Sequence, residues 1–115
     1  MKIYHFDKIF SEFIRKRDAD CFEMVVCITC GKRLHWQSAD CGHYIGRRNM
    51  ATRFDPINCN AQCRECNSKD NKQLYREKLI EKYSLHEVEE LEQRSKKHKK
   101  WTEWELKEHI KNTTQ

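Results

Sequence analysis

The stretch of sequence that decides the fold runs from Cys27 to Asn67 and reads CITCGKRLHWQSADCGHYIGRRNMATRFDPINCNAQCRECN. It contains six of the seven cysteines, all three glycines and the only proline, a composition that favours turns and ligand loops over long regular elements. Cys27 and Cys30 form a Cys-x-x-Cys pair at one end, and Cys63 and Cys66 form a second pair at the other. We therefore expect the functional core of the chain in this segment.

The two cysteine pairs predict one structural zinc site. Four thiolates complete the tetrahedral coordination of Zn²⁺ and leave no open position for chemistry. The alternatives are buried thiols or a redox pair, but a redox Cys-x-x-Cys is single and lies in a βαβ pattern that this chain lacks. Hydrophobic residues make up 37% of the chain and charged residues 36%, against roughly 45–50% (glycine included) and about 25% in average domains. Zinc binding is therefore expected to supply folding free energy that a small core does not.

Composition and apolar runs also predict where the protein works. Charged residues interrupt the N-terminal segment before any apolar stretch of signal-peptide length, and the longest apolar run, residues 24–28, is far shorter than the roughly 18 residues of a membrane span. We expect a cytoplasmic protein with no membrane partner, whose thiols stay reduced and available to metal. The net charge of +5 favours a polyanionic partner without identifying it.

Hydrophobic periodicity predicts helices on both sides of the central segment. Apolar residues recur at three- and four-residue steps over residues 3–17, and again over residues 69–82, which is typical of amphipathic helices. The β-branched run at residues 21–27 predicts a short strand. Ser84 and Thr102 each precede a glutamate at capping-box spacing and predict two further helices. We divide the chain into an N-terminal helix (1–20), a core (21–70) and a helical tail (71–115).

Between the cysteine pairs, His43, Asn58 and Asn67 follow one another in the order and spacing of the HNH, or ββα-metal, endonuclease motif. The surrounding residues carry a broader likeness that covers nearly the whole chain. They are Arg17-Asp18-Ala19-Asp20, His35-Trp36, Asp40-Cys41-Gly42-His43-Tyr44, Arg47-Arg48, Ala51-Thr52-Arg53-Phe54-Asp55 and Gln62-Cys63. With these motifs the chain resembles the NinG (Rap) family of phage recombination endonucleases. The zinc-knuckle arrangement is also similar to that of phage Holliday-junction endonuclease VII.

The resemblance implies an α+β fold: a small ββα-metal (HNH) core with a four-cysteine zinc site, flanked by an N-terminal helix and C-terminal helices. It also implies that His43 is the general base, since a neutral imidazole can accept a proton from water near pH 7. By the same resemblance Asn58 holds the two-stranded segment that carries His43. Asn67 takes the position that ligates a catalytic Mg²⁺ or Mn²⁺; its alternative role is a helix N-cap.

One position departs from the common HNH pattern and leaves the second metal ligand open. The residue before the base is often Asp or His, whereas here it is Gly42. Asp40 is the nearest carboxylate, and Gly42 would allow a backbone bulge that turns it inward. Asp55 is the weaker candidate, because a turn with Pro56 suits it better.

Four basic residues are candidates for binding DNA phosphates: Arg47, Arg48, Arg53 and Lys69. The alternatives are solvated surface side chains and, for Arg53, a buried structural partner. The basic run at residues 94–100 is either a solvated linker or an arm that contacts phosphates. Cys21, Cys41 and Cys59 are expected to be packed free thiols rather than ligands.

These features together predict an HNH-type endodeoxyribonuclease that uses Mg²⁺ or Mn²⁺ to hydrolyse phosphodiester bonds, with branched recombination intermediates as its substrates. The alternatives are a zinc-stabilised DNA-binding module without catalysis, or an HNH nuclease that nicks or cuts ordinary duplex. Two active sites must reach the two strands of one junction, and a two-fold homodimer is the simplest arrangement that provides them. The tail either supplies its interface or packs back onto its own body, through apolar positions at Leu85, Val88, Leu91, Trp101, Trp104 and Ile110.

Overall fold

The computed structural model describes residues 1–115 and consists of five α-helices around two small antiparallel sheets. The helices are α1 (Ile3–Arg17), α2 (Arg64–Lys69), α3 (Lys72–Lys82), α4 (Leu85–Arg94) and α5 (Glu103–Thr114). The strands are β1 (Met24–Val26), β2 (Arg33–His35), β3 (Asp40–His43) and β4 (Cys59–Gln62). The expected α+β class is confirmed. None of the helices has both the length and the apolar character needed to cross a bilayer.

Helix α1 has the bounds that its periodicity predicts, and it covers the strands that carry the site. Phe6, Phe10 and Ile14 follow one another at helical steps and are buried. They pack in one cluster with Phe54 and Cys59 of the central segment and with two residues of α5. The N- and C-terminal helices therefore close over the same core.

The end of α1 is tied to β4 by two adjacent side chains. The Arg17 guanidinium donates to the carbonyl oxygens of Pro56 (2.8 Å) and Cys59 (2.9 Å). Asp18 accepts a hydrogen bond from the Ala61 N–H at 2.8 Å and also pairs with Lys82. The partly buried carboxylate has a lowered pKa: burial alone would raise it, but these hydrogen bonds and charges outweigh burial.

Strand β1 is shorter than the predicted strand over residues 21–27. Asp20 Oδ1 accepts hydrogen bonds from the N–H groups of Phe22 and Met24, and Glu23 has a φ of 64°. This side-chain-stabilised turn takes residues 21–23 out of the strand. β1 then pairs with β2, with Val25 opposite Leu34.

Strands β3 and β4 pair in a regular antiparallel register, from Asp40 opposite Gln62 to His43 opposite Cys59. The bulge expected at Gly42 is therefore wrong. The glycine serves a close approach instead, because a Cβ at this position would lie 2.1 Å from Gln62 Oε1. Tyr75 also donates its hydroxyl hydrogen to the Gly42 carbonyl at 2.7 Å.

The helix expected over residues 69–82 begins slightly later, as α3 at Lys72, and the short helix α2 that precedes it was not predicted. Asp70 adopts the left-handed conformation, with φ 53° and ψ 46°, which ends α2. Asn71 then caps α3, its side chain accepting from the Leu74 N–H at 3.1 Å. Periodicity alone did not reveal the break between α2 and α3, because the apolar repeat begins only after that break.

The helical tail packs back onto its own body. Val88 and Leu91 of α4 are buried against Tyr75 and Leu79 of α3, and Leu106 and Ile110 of α5 pack under α1. The predicted cap at Ser84 and capping box at Thr102 are both in place, although only Thr102 has the reciprocal glutamate bond.

Most of the apolar positions named in the tail are covered by the chain's own body. Trp101 packs edge-on against Phe54, and its ring N–H donates to the Met50 carbonyl at 2.9 Å. Trp104, expected to pack with it, is 72% exposed, and Leu85 is also exposed. The homodimer stays a prediction.

Candidate functional site

The two cysteine pairs converge on one point of the fold. The four sulfur atoms lie within 4.8 Å of one another, and Cys30 Sγ is 3.8 Å from Cys63 Sγ. Cys27 and Cys30 follow β1, whereas Cys63 is the N-cap of α2 and Cys66 lies in its first turn. The Ile28 N–H donates to the Ala61 carbonyl of β4 at 3.0 Å. This bond joins the loop of the first cysteine pair to the strand that precedes the second pair. The cluster could hold a structural metal such as zinc.

Hydrogen bonds around the sulfur atoms favour thiolates. The Thr29 hydroxyl lies 3.3 Å from Cys27 Sγ, and backbone N–H groups donate to Cys30 Sγ and Cys63 Sγ, each at 3.4 Å. Burial alone would raise the pKa of Cys27, but these polar neighbours and backbone N–H groups lower it to about 6. A hydrogen bond with Thr29 would lower the pKa of Cys66, yet burial and the other three thiols raise it to about 12. A divalent cation would relieve this crowding of like groups.

A second feature is an open cavity of about 850 Å³ beside β3 and α2. Three of the residues expected at the catalytic site line it: Asp40 and His43 from β3 and Asn67 from α2. Both positively and negatively charged side chains line the cavity. Its basic lining residues are Arg15, Arg47, Arg64 and Lys72, and its acidic ones are Asp7, Asp40 and Asp70.

His43 is held with one ring nitrogen free. Its Nε2 is 3.0 Å from the Arg53 carbonyl oxygen. Because a carbonyl oxygen only accepts, Nε2 carries the proton in the neutral ring and Nδ1 is the basic nitrogen. Burial lowers the pKa of His43 below its usual 6.5; the Arg53 carbonyl opposes this shift and the Arg47 charge adds to it. The imidazole is therefore neutral at pH 7.

Asp40 and Asn67 are brought together across the cavity. The Asn67 amide Nδ2 donates to Asp40 Oδ2 at 3.1 Å, and Arg64 lies 3.7 Å from Asp40 Oδ1. The N-cap alternative for Asn67 is wrong, because Cys63 caps α2 and Asn67 lies within the helix. The Asp55 alternative is also outside this cavity, since its carboxylate accepts from the Ile57 N–H and pairs with Arg94.

Asn58 lies under the loop that follows His43 and does not line the cavity. It is fully buried, and its side chain accepts from the Ile45 N–H at 2.8 Å. Its Nδ2 donates to the carbonyl oxygens of Ile45 (2.9 Å) and Thr52 (3.1 Å). These bonds join the two ends of the loop between β3 and β4, so they set the direction in which the chain leaves His43.

The four basic residues expected to bind phosphates have different surroundings. Arg47 lines the cavity and is 55% exposed, and Arg48 is exposed outside it. Arg53 differs from what was expected of a DNA-binding residue. Its side chain is only 11% exposed and pairs with Asp7 of α1, so its charge is not free for DNA. Lys69 pairs with Glu65 on the outer side of α2 and does not reach the cavity.

Three basic residues of the cavity were not predicted from the sequence: Arg15, Arg64 and Lys72. Arg64 precedes Asn67 by one helical turn, and Lys72 donates to the His43 carbonyl at 2.8 Å. A predicted helix at residues 64–69 would have placed Arg64 on the same face as Asn67. No local signal indicates Lys72, because the Asp70 turn brings it back toward β3.

Comparison with known proteins gives one match. The family model described as NinG, Bacteriophage Lambda NinG protein, matches residues 3–115. Neither the search of curated proteins nor the search of solved structures found a match to the chain.

Proposed function

Because the chain belongs to the bacteriophage lambda NinG family, we propose that it is a metal-dependent DNA endonuclease that acts on branched recombination intermediates. The observation that carries the proposal is that His43, Asp40 and Asn67, a neutral histidine, a carboxylate and an asparagine, line one charged cavity. The order of these three residues in the sequence does not by itself place their side chains in one cavity. A cavity with these groups suits hydrolysis of a phosphodiester.

The order of elements supports an HNH-type arrangement. β3 carries His43 at its end, Asn58 directly precedes β4, and α2 carries Asn67. Two antiparallel strands followed by a helix are the order of elements that a ββα-metal unit requires, which supports the proposal. The four-cysteine cluster lies at the start of the same helix, so a metal bound there would set the position of Asn67.

The donor chemistry fits two different cations. Four sulfur ligands suit Zn²⁺ in a structural role. Asp40 and Asn67 offer a carboxylate and, after rotation of the amide, a carbonyl oxygen, which suit Mg²⁺ or Mn²⁺. The hard cation, when bound there, would stabilise negative charge on the phosphate and the leaving oxygen.

The residues of the chain supply the remaining chemistry. Nδ1 of His43 accepts a proton from the attacking water, while the Arg53 carbonyl keeps the ring in the correct tautomer. Arg53 is itself held by Asp7, so this pair positions the base without touching the substrate. Arg47 and Arg64 bind the phosphates that flank the scissile bond.

The proposal is tested by incubating the protein with Mg²⁺ and matched linear, nicked and four-way DNA. Cleavage of the four-way substrate in preference to the others is expected. Equal cleavage of all three would favour an ordinary duplex nuclease, and binding without any cleavage would favour a zinc-stabilised DNA-binding module.

The pH profile of cleavage should have an acid limb that belongs to His43. Its pKa in the folded protein is below 6.5, so the base stays neutral at pH 7 and is lost only as the pH falls through that lower value. We expect kcat/KM to be independent of this group above about pH 7 and to fall about tenfold per pH unit on the acid side. An acid limb with an apparent pKa above 6.5 would contradict the assignment.

Salt dependence of DNA binding should separate the basic residues. Arg47→Ala or Arg64→Ala is expected to weaken binding and to reduce the slope of log K against log salt by about 1, because each removes one phosphate contact. The matched control is Lys69→Ala, which lies on the same helix as Arg64 but outside the cavity. Titrations by fluorescence anisotropy without added Mg²⁺ measure both quantities. An equal loss in Lys69→Ala would contradict the proposed DNA path.

A further inference from the structure

We propose that Cys41, His43 and Cys59 form a second metal site, for a thiophilic divalent cation such as Zn²⁺, separate from the four-cysteine cluster. One sulfur atom from each cysteine and one ring nitrogen of His43 lie within 4.8 Å of one another. No member of this group belongs to the four-cysteine cluster.

The pairing of β3 with β4 builds this cluster. Cys41 and His43 are two residues apart and therefore share one face of β3, and His43 lies directly opposite Cys59 of β4. Cys59 is fully buried in the cluster of apolar residues beneath α1, and Cys41 packs against that cluster. The three side chains are thus held in place by regular backbone and by packing on one side.

The ligand set suits zinc in a partly buried setting. Two thiolates and an imidazole are three of the four ligands in known tetrahedral zinc sites, with water or another ligand in the fourth position. Cys41 and His43 line the cavity, so a water molecule has access to that position. Two thiolate charges balance the charge of the cation, which limits the electrostatic cost of burial beside Cys59.

A disulfide between Cys41 and Cys59 fits less well. The two residues occupy diagonal positions of the ladder, because Cys41 is opposite Ala61. Diagonal neighbours are about 7–8 Å apart, whereas disulfides join Cα atoms roughly 4.4–6.8 Å apart. A cation bridges the longer separation without moving either strand, and it also explains the presence of His43 in the group.

Occupation of this site would block cleavage, a consequence that rests on the proposed function. An imidazole bound to a cation through one nitrogen carries a proton on the other, so it has no basic nitrogen left for water. Two classes of cation ligand then lie at the cavity: oxygen atoms of Asp40 and Asn67 for a hard cation, and the Cys41 sulfur and a His43 nitrogen, together with the buried Cys59 sulfur, for a soft one. Excess zinc would therefore act as an inhibitor of an enzyme that also contains structural zinc.

The test is a titration of reduced, anaerobic protein that already holds one equivalent of Zn²⁺, with Co²⁺ as the probe. Zinc binds more tightly than cobalt in such sites and stays in the four-cysteine cluster. We expect one further equivalent of Co²⁺ to bind, with the near-ultraviolet absorption of cobalt–thiolate bonds. Cys41→Ser and Cys59→Ala should lose this absorption, and Cys21→Ser, an exposed cysteine outside both clusters, should keep it.

The half-buried Cys41 is the primary variant, because replacement of the fully buried Cys59 carries more risk to folding. No thiolate absorption in the unmodified protein beyond the first equivalent, or the same absorption in Cys41→Ser, would overturn the proposal.

An activity measurement separates this proposal from the proposed function. With Mg²⁺ present, micromolar Zn²⁺ should lower cleavage at least about tenfold in the unmodified protein. Cys41→Ser should resist, each protein being compared with its own zinc-free rate. Equal inhibition of both proteins would contradict a role for Cys41. Cobalt uptake through Cys41 in a protein that cleaves none of the DNA substrates would support the metal site and contradict the nuclease function.

Discussion

Replacing Cys66 by serine is expected to unfold the protein and to release its structural metal. Cys66 and Cys63 lie at the start of α2, and the other two sulfur atoms come from the loop after β1. One ion bound by all four therefore joins two segments that are distant in the sequence. Structural zinc sites have apparent binding free energies of roughly 10–16 kcal/mol, which is comparable with the total stability of about 5–15 kcal/mol of a domain. The three apolar clusters are small, the largest having seven buried residues, and cannot replace that contribution.

Metal analysis and circular dichroism measure this outcome. The unmodified protein should contain about one Zn²⁺ per chain after dialysis against metal-free buffer, and Cys66→Ser close to none, with loss of helical signal. Cys21→Ser is the matched control, because this exposed cysteine touches neither cluster. A Cys66→Ser protein that lacks zinc and melts at the temperature of the unmodified protein would exclude a structural metal at this cluster.

Replacing His43 by alanine is expected to lower the cleavage rate by about 10²–10⁴-fold, the usual contribution of a general base. The change removes the free Nδ1 that faces the cavity, while Asp40, Asn67 and the cavity arginines stay in place. DNA affinity and zinc content should therefore change little, because the base acts in the transition state and not in binding. The measurement is single-turnover cleavage of four-way DNA at pH 7.5 with saturating protein.

The matched control for this variant is His86→Ala on α4, whose exposed imidazole pairs only with Glu90. It should cleave at the rate of the unmodified protein. Melting temperatures of both variants show whether the fold is kept, since His43 also forms a hydrogen bond with the Arg53 carbonyl oxygen. A folded His43→Ala protein that cleaves at the unmodified rate would exclude His43 as the base and, with it, the HNH mechanism.

The elements that could be predicted are those whose signals are local in the sequence. The bounds of α1 follow from apolar residues at helical steps, and the starts of α4 and α5 follow from the hydroxyl caps at Ser84 and Thr102. Predictions went wrong where a single residue changes the backbone direction. The Asp20 side chain shortens β1, and Asp70 in the left-handed conformation ends α2 and delays the start of the expected helix to Lys72.

Side-chain partners distant in sequence explain the remaining differences. Arg53 and Arg47 are basic residues of one loop and both pair with Asp7 of α1, yet Arg53 is only 11% exposed, whereas Arg47, at 3.9 Å from Asp7, is 55% exposed. Gly42 is required because of Gln62 on the facing strand and not because of a bulge. Trp104 stays in solvent while Trp101 is packed, although both lie at apolar positions of the tail.

The sequence by itself determined the two cysteine pairs that could hold a metal, most of the helical segments and the candidate catalytic histidine, because ligand spacing, helical periodicity and capping each depend on residues a few positions apart. Only the tertiary structure decided that Asp40, His43 and Asn67 share one cavity, that Arg64 and Lys72 border it, and that Cys41 and Cys59 flank His43. These groupings depend on the register of β3 with β4 and on the turn at Asp70. Register and turn are set by burial and hydrogen bonds across the whole molecule, which no local pattern encodes.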